Sequence, residues 1–183
     1  MQEAKQPRRM LDLFAGTGSV GQVYSKMGFL VTSVDWLSRW KPTIVADVLT
    51  WDYKSCFKPG DFHTVVISPP CTEYSSSLTT RVRDLEGADR LVLKALEIKD
   101  FLKPQRWWLE NPRNGLLKSR DFMRGISFID VDYCQYVEWG YQKPTRIWGS
   151  PDILAVKPRR CDGITCRNLI QSLMAVASAI ESG

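Results

Sequence analysis

A cysteine at position 71 stands directly behind two prolines in "ISPPCTEYSSS", where the apolar run "HTVVISPP" ends. A deprotonated thiol held on a stiff turn at a strand end can attack an electrophilic carbon. A carboxyl occurs at Glu110 in "WWLENP", approached by Trp107, Trp108 and Leu109. Apolar surroundings raise a carboxyl pKa and let the group donate a proton. Arg146, in "QKPTRIWG", opens a late strand, where a guanidinium can hold an anionic or carbonyl oxygen. Taken singly, each also fits an ordinary structural role: a small loop thiol, a capping or lysine-paired carboxylate, a surface charge.

A second set of residues points to a nucleotide-like cofactor. "DLFAGTGSVG" places Gly16, Gly18 and Gly21 in the pattern G-x-G-x-x-G, between a strand and a helix. Glycines there allow a tight turn and close approach of a ligand to the backbone. Asp35 ends the next strand, where a carboxylate can accept from ribose hydroxyls, and Trp36 behind it can pack on an adenine ring. Asp47 ends the third strand, in reach of an adenine amino group, and Asp12 ends the first, where it can face a cationic group. A dinucleotide and S-adenosylmethionine both carry adenosine. So many carboxylates would repel a pyrophosphate, which favours the sulfonium cofactor.

The elements that must position these groups follow from periodicity. Strands are expected over "RRMLDLFA", "FLVTSVD", "PTIVAD", "FHTVVIS", "RWWLEN", "FIDVDYCQY" and "TRIWGS". Helices are expected over "SVGQVYSKMG", from Ala88 to Leu102, and over "CRNLIQSLMAVASAI". Strands alternating with helices predict an α/β, Rossmann-like fold: a mostly parallel sheet covered by helices on both faces, with binding residues at the carboxyl ends of the strands.

Composition sets the outer limits. A chain of 183 residues, 44% hydrophobic and 25% charged, favours one soluble domain. No run is long and apolar enough to span a bilayer, and the polar start "MQEAKQPRR" lacks a signal-peptide core, so an intracellular, cytoplasmic or nuclear protein is expected. Five scattered cysteines argue against a disulfide framework. Cys161 and Cys166 are spaced somewhat like metal ligands, but the one histidine is His63 in a strand, so no metal site is expected. A net charge of +5 favours a polyanionic partner. Arg81, Arg83 and Arg90 in "RVRDLEGADR" could meet phosphates from a mobile lid, and Lys157, Arg159 and Arg160 form a second basic patch.

Together the segments "DLFAGTGSVG", Asp35, "ADV" at Asp47, "SPPCTEYS", "ENP" and "QKPTR" occur in the order found in the DNA cytosine-5 methyltransferases, which this sequence resembles over roughly residues 10 to 149. The overall look is closest to short members from phages and large DNA viruses. The resemblance implies methyl transfer from S-adenosylmethionine, with S-adenosylhomocysteine as product, to C5 of a cytosine flipped out of DNA. It implies Cys71 as the nucleophile on C6, Glu110 at the ring N3 and exocyclic amine, and Arg146 at the base O2 or the loop carrying Cys71. By the same analogy Asp12, Phe14, Ala15, Gly16, Thr17, Gly18, Val20, Asp35, Trp36, Asp47, Val48 and Pro69 hold the cofactor.

The pattern also departs from the family. Thr72 stands where glutamine is common, although Ser75 matches; Pro112 replaces valine after Glu-Asn. In the late Gln-x-Arg-x-Arg motif Gln142 and Arg146 match, but Pro144 replaces the first arginine. Residues 150 to 165 are too few for the usual target-recognition domain, so one catalytic domain over 1–183 is expected. Asn168 and Leu169 are weak candidates in the last helix. Sequence preference would then rest on loops, a protein partner or a second subunit. The same chemistry on RNA and a non-catalytic, nucleic-acid-binding or regulatory homologue are the alternatives. A nicotinamide oxidoreductase explains neither "SPPC" nor "ENP", and an amino-group methyltransferase needs no thiol at position 71.

Overall fold

The computed structural model describes residues 6–136 and 143–161. Gln142, Cys166, Asn168, Leu169 and the expected last helix lie outside the described residues. Seven strands form one sheet: β1 (Arg9–Leu13), β2 (Leu30–Asp35), β3 (Ile44–Val45), β4 (Thr64–Ile67), β5 (Arg106–Pro112), β6 (Phe128–Asp132) and β7 (Pro144–Gly149). Their order is β3-β2-β1-β4-β5-β7-β6. The first five run parallel, and β7 enters antiparallel between β5 and β6. The α/β, Rossmann-like expectation is met, and the strand order reverses beside β1, where such sheets open a crevice at their carboxyl ends.

Each face of the sheet carries its own core. On one side Leu11, Leu13, Val65, Ile67, Leu109 and Trp148 pack with Val92, Ala95, Ile98 and Leu102 of helix α3 (Leu85–Leu102). On the other, Met10, Val66, Trp108 and Ile147 pack with Val23 and Tyr24 of helix α1 (Ser19–Lys26). Burial on both faces is why β4 reads as an unbroken apolar run instead of an alternating one. The Asp84 carboxylate caps α3 by accepting from the Gly87 N–H at 2.8 Å. Lys103, in the left-handed region at φ 48°, ends it before Pro104.

Several expectations shift locally. A third helix, α2 (Tyr53–Cys56), had no clear periodic signal because it is one turn long. β3 is only two residues, and β6 stops at Asp132, giving way to a 3-10 turn at Tyr133–Gln135. Pro112 belongs to β5 instead of breaking it: it is the last strand residue, where a missing N–H costs least. Residues 156–161 return beside β6, where the Asp132 N–H donates to the Arg159 carbonyl at 3.1 Å. Among the described residues no helix is long and apolar enough to cross a membrane.

Candidate active site

The turn after β1 is built by its backbone. Phe14, Gly16 and Gly18 take positive φ values of 62°, 50° and 73°. Glycine accepts that geometry freely, whereas Phe14 is strained there. Asp35 fastens the turn from the end of β2, accepting from the Gly16 N–H at 2.9 Å and the Leu37 N–H at 2.8 Å. The Ala15 N–H donates to the Val34 carbonyl. Thr17 is exposed, its hydroxyl beside that of Ser19 at 2.8 Å.

Next to this turn lies a mostly apolar cavity of about 250 Å³, lined by Phe14, Asp35, Trp36, Asp47, Val48, Pro70 and others. Trp36 is 67% exposed and forms one wall, a flat surface open on one side. Asp47 turns one carboxylate oxygen onto the Leu49 N–H. Ala46 and Leu91 complete the lining. Neither is marked by a motif in the sequence; Leu91 lies within the helix expected from Ala88 to Leu102. Pro69 is not in this lining. Its carbonyl instead accepts from the Asn111 side-chain amide at 3.2 Å, and the proline on the cavity wall is Pro70.

Asp12 is 1% exposed, and neither carboxylate oxygen has a hydrogen-bond partner. Burial pushes its pKa from 3.8 up to about 7; the nearby Gly21 N–H opposes the rise and the charge of Asp35 adds to it. Gly21 lets the helix start pack closely here: a Cβ would sit 3.0 Å from the Val31 side chain and 3.6 Å from the Asp12 carboxylate. An unpaired buried carboxyl at the glycine-rich turn fits the cationic end of a sulfonium cofactor. Together with the apolar cavity for an adenine ring, it makes the residues present compatible with S-adenosylmethionine.

Cys71 is exposed at the carboxyl end of β4. It lines a cavity of about 230 Å³ with Ser75, Ser76, Asn111, Pro112, Lys143 and others. The loop that carries it is anchored at several points. The Tyr74 N–H donates to the Cys71 carbonyl at 3.1 Å, and the Leu116 N–H donates to the Tyr74 carbonyl at 2.9 Å. The Tyr74 ring is fully buried, and its hydroxyl donates to Asp89 on α3 at 2.9 Å. Burial and the Asp89 carboxylate push the Tyr74 pKa up, so this hydroxyl remains a donor. Arg120 pairs with Asp89 from the other side. Asp89→Ala is expected to destabilise the fold by about 2–3 kcal/mol, since it leaves the Tyr74 hydroxyl and a guanidinium without their acceptor. Urea denaturation measures that loss, and faster proteolysis between residues 71 and 84 should accompany it.

The expected lid is stitched to the same loop. Glu73 pairs with Arg81 and accepts from the Asp84 N–H at 2.8 Å, and Arg83 donates to the Ser75 carbonyl at 2.9 Å. Arg81 and Arg83 thus each engage this loop, while Arg81 stays exposed. Arg160 likewise pairs with Asp132 at 3.0 Å, and Arg159 lies over the Tyr136 ring at 5.4 Å; Lys157 remains exposed.

Glu110 and Asn111 diverge because neighbouring strand residues face opposite sides of the sheet. Glu110 pairs in register with Ile147 and faces the α1 side; Asn111 pairs with Arg146 and faces the α3 side. Glu110 lines a second cavity, of about 230 Å³, with Ser19, Val20, Ser68, Trp108, Tyr133 and Lys143. Burial raises its pKa and the charge of Lys143 opposes that rise; its Oε1 is buried without a partner. Cys71 and Glu110 therefore stand in two cavities that share Lys143 as a common wall.

Arg146, expected at the base O2 or the loop carrying Cys71, joins neither lining. It makes a two-point pair with Asp130 on β6, at 2.7 Å and 2.9 Å, and lies 3.7 Å over the Phe128 ring. Register explains this: Asp130 lies directly opposite Arg146 on the neighbouring antiparallel strand. Asn111, read only as part of the "ENP" match, ties β5 to the turn before Cys71.

Comparison with known proteins is consistent with this arrangement. No family model matches the chain. The "Probable DNA (cytosine-5)-methyltransferase" of Frog virus 3 (isolate Goorha) is 34% identical over 175 residues, covering 88% of this chain and 78% of the relative. Among solved structures, the Entamoeba histolytica methyltransferase EhMeth superposes with a TM-score of 0.62 at 15% identity, over 86% of this chain and 58% of that one. A prophage-encoded Escherichia coli protein assigned as a DNA modification methyltransferase gives a TM-score of 0.58 at 15% identity, over 90% of this chain and 52% of that one. The chain thus spans a little over half the length of these solved structures, and at that identity they establish the fold alone. The viral relative carries the further step: by its identity and coverage, this chain belongs to the DNA (cytosine-5)-methyltransferase family.

Proposed function

We propose that this chain transfers a methyl group from S-adenosylmethionine to C5 of cytosine in DNA through a covalent adduct at Cys71. The observation that carries the reading is the meeting of the Cys71 and Glu110 cavities at Lys143, on the same sheet edge as the cavity lined by Asp35, Trp36 and Asp47. A thiol, a buried carboxyl and an apolar cavity at one end of one sheet support this reading. Asp12, Phe14, Ala15, Gly16, Thr17, Gly18, Val20, Asp35, Trp36, Asp47 and Val48 would hold the cofactor, with Pro70 taking the wall position expected of Pro69. When bound, the cofactor supplies an electrophilic methyl group.

The residues of the chain then have defined tasks. The Cys71 thiolate adds to C6 of a flipped cytosine, forming an S–C6 bond and making C5 nucleophilic. Glu110, whose pKa burial raises, would donate a proton to the ring N3 as that charge develops. After C5 takes the methyl group a base removes the C5 proton, N3 returns its proton to Glu110, the S–C6 bond breaks and the thiolate is restored. In this reading Arg146 is structural, holding β7 to β6 through Asp130.

Residues 150 to 165 leave little room for a recognition domain after β7, so we assign sequence preference to loops of a single catalytic domain, a protein partner or a second subunit. The net charge of +5 favours a nucleic-acid substrate, and the viral relative fits a virus-encoded enzyme acting inside an infected cell.

The test is incubation with methyl-labelled cofactor and matched DNA and RNA oligonucleotides, one set carrying 5-fluorocytosine, whose C5 fluorine blocks the final proton loss. A covalent protein–DNA adduct that disappears in Cys71→Ser is expected. Label on an exocyclic amine, transfer confined to RNA, or cofactor binding without any transfer would each overturn the proposal.

A further inference from the structure

We infer that Lys143 is a positioning cation of this site, shared between the Cys71 and Glu110 cavities and compensating the charge that Glu110 acquires when it gives up its proton. The inference rests on the methyltransferase reading for its kinetics, but on geometry for its origin. Among the described residues, Lys143 is the one found in the linings of both cavities.

Its backbone is tightly placed. The Tyr133 N–H donates to the Lys143 carbonyl at 3.0 Å, and the Arg113 N–H donates to the Pro144 carbonyl at 3.1 Å. Pro144 opens β7, where its missing N–H costs no ladder bond, and a proline holds the residue before it in an extended conformation. The residue standing where the family pattern has arginine therefore fixes its neighbour. The Lys143 ammonium lies 5.1 Å from the centre of the Tyr133 ring, a cation–π arrangement that directs it along the wall of the Glu110 cavity.

The electrostatics follow from what else faces Glu110. Ser19 and Val20 come from α1, Ser68 follows β4, Trp108 comes from β5 itself, Tyr133 from the turn after β6, and Lys143 directly precedes β7. Among the described lining residues the ionisable ones besides Glu110 are Lys143 and Tyr133. Burial and the Glu110 charge push the Tyr133 pKa well up, so it stays neutral. Lys143 is then the cation in that lining. When Glu110 passes its proton to the base, the carboxylate left behind has a buried oxygen with no hydrogen-bond partner. A nearby ammonium offsets that charge and keeps Glu110 acidic enough to donate.

The test combines two readouts on wild type, Lys143→Met and Lys143→Arg. Carboxyl-carbon NMR follows Glu110 titration without any substrate, and methyl transfer is measured across pH. Lys143→Met should move the Glu110 midpoint upward, carry the alkaline limb of the rate profile with it, and lower the maximal rate roughly 10- to 100-fold. Lys143→Arg should keep the midpoint and stay within about fivefold of wild type, since the charge is retained. Should Lys143→Met not fold, Lys143→Gln serves the same comparison. A Glu110 midpoint unchanged by loss of the Lys143 charge, or a neutral variant with the wild-type rate and limb, overturns the inference. A wild-type protein silent on every nucleic acid would sink the methyltransferase reading, while the Glu110 titration would still decide the role of Lys143.

Discussion

Cys71→Ala is expected to lower methyl transfer by about 10⁴-fold or more, with cofactor binding and thermal stability unchanged. The size follows from removing the nucleophile: without the S–C6 bond, C5 has too little electron density to take the methyl group, and neighbouring groups cannot substitute. The separation from stability follows from where the loop is held. Tyr74 donates to the backbone carbonyl of Cys71, and the buried contacts belong to Tyr74 and Asp89, leaving the thiol itself exposed. Cys71 also lies outside the lining of the cavity that holds Asp35 and Trp36. Single-turnover transfer, calorimetric cofactor titration and a thermal melt measure the three quantities. Transfer within tenfold of wild type would remove Cys71 from the chemistry. An equal fall in stability would make the variant uninformative about catalysis, and Cys71→Ser, nearly the same in volume, guards against that.

The second large effect concerns Asp12, where stability and ligand binding should move in opposite directions. Its pKa rises from 3.8 to about 7 on folding, so the folded state binds the proton more tightly than the unfolded state. The contribution to stability is complete below about pH 3.8 and is lost as pH climbs to about 7. Across that window the loss amounts to roughly 4 kcal/mol, an order-of-magnitude figure. Asp12→Asn removes the titration but still buries a polar group, so a gain of about 1–3 kcal/mol is expected at pH 8 in the absence of cofactor. Its pH dependence between 4 and 7 should flatten. Affinity for S-adenosylmethionine should fall, because the carboxylate no longer meets the cationic end of the molecule. Denaturant titrations across pH and calorimetric binding test both halves. A variant less stable than wild type at pH 8, or one that binds the cofactor as tightly, would contradict this account.

Much of this protein is legible in its sequence. Local sequence places β1, β2, β4 and α3, because apolar runs bounded by glycine, proline and capping residues leave little choice of element. It also places Gly16 and Gly18, whose positive φ values the turn requires, and Asp35 at the strand end that fastens them. What sequence alone determined about Cys71, Glu110 and Arg146 was their order along the chain and their position near strand ends.

Which of them meet was decided by the tertiary structure. Side chains alternate across a sheet, so the antiparallel register of β5, β7 and β6 sends Arg146 to Asp130 and turns Glu110 to the other face. Pro70 lines the cofactor-side cavity, while Asn111, one strand away, engages the Pro69 carbonyl. Lys143 gave no sequence signal at all: a lysine before a proline is common, and only the packing of β7 against the turn after β6 puts it beside both Cys71 and Glu110. Periodicity and turn chemistry are local and can be read along a chain. Register and the meeting of separate strands are long-range, and they alone turn a list of reactive side chains into a site.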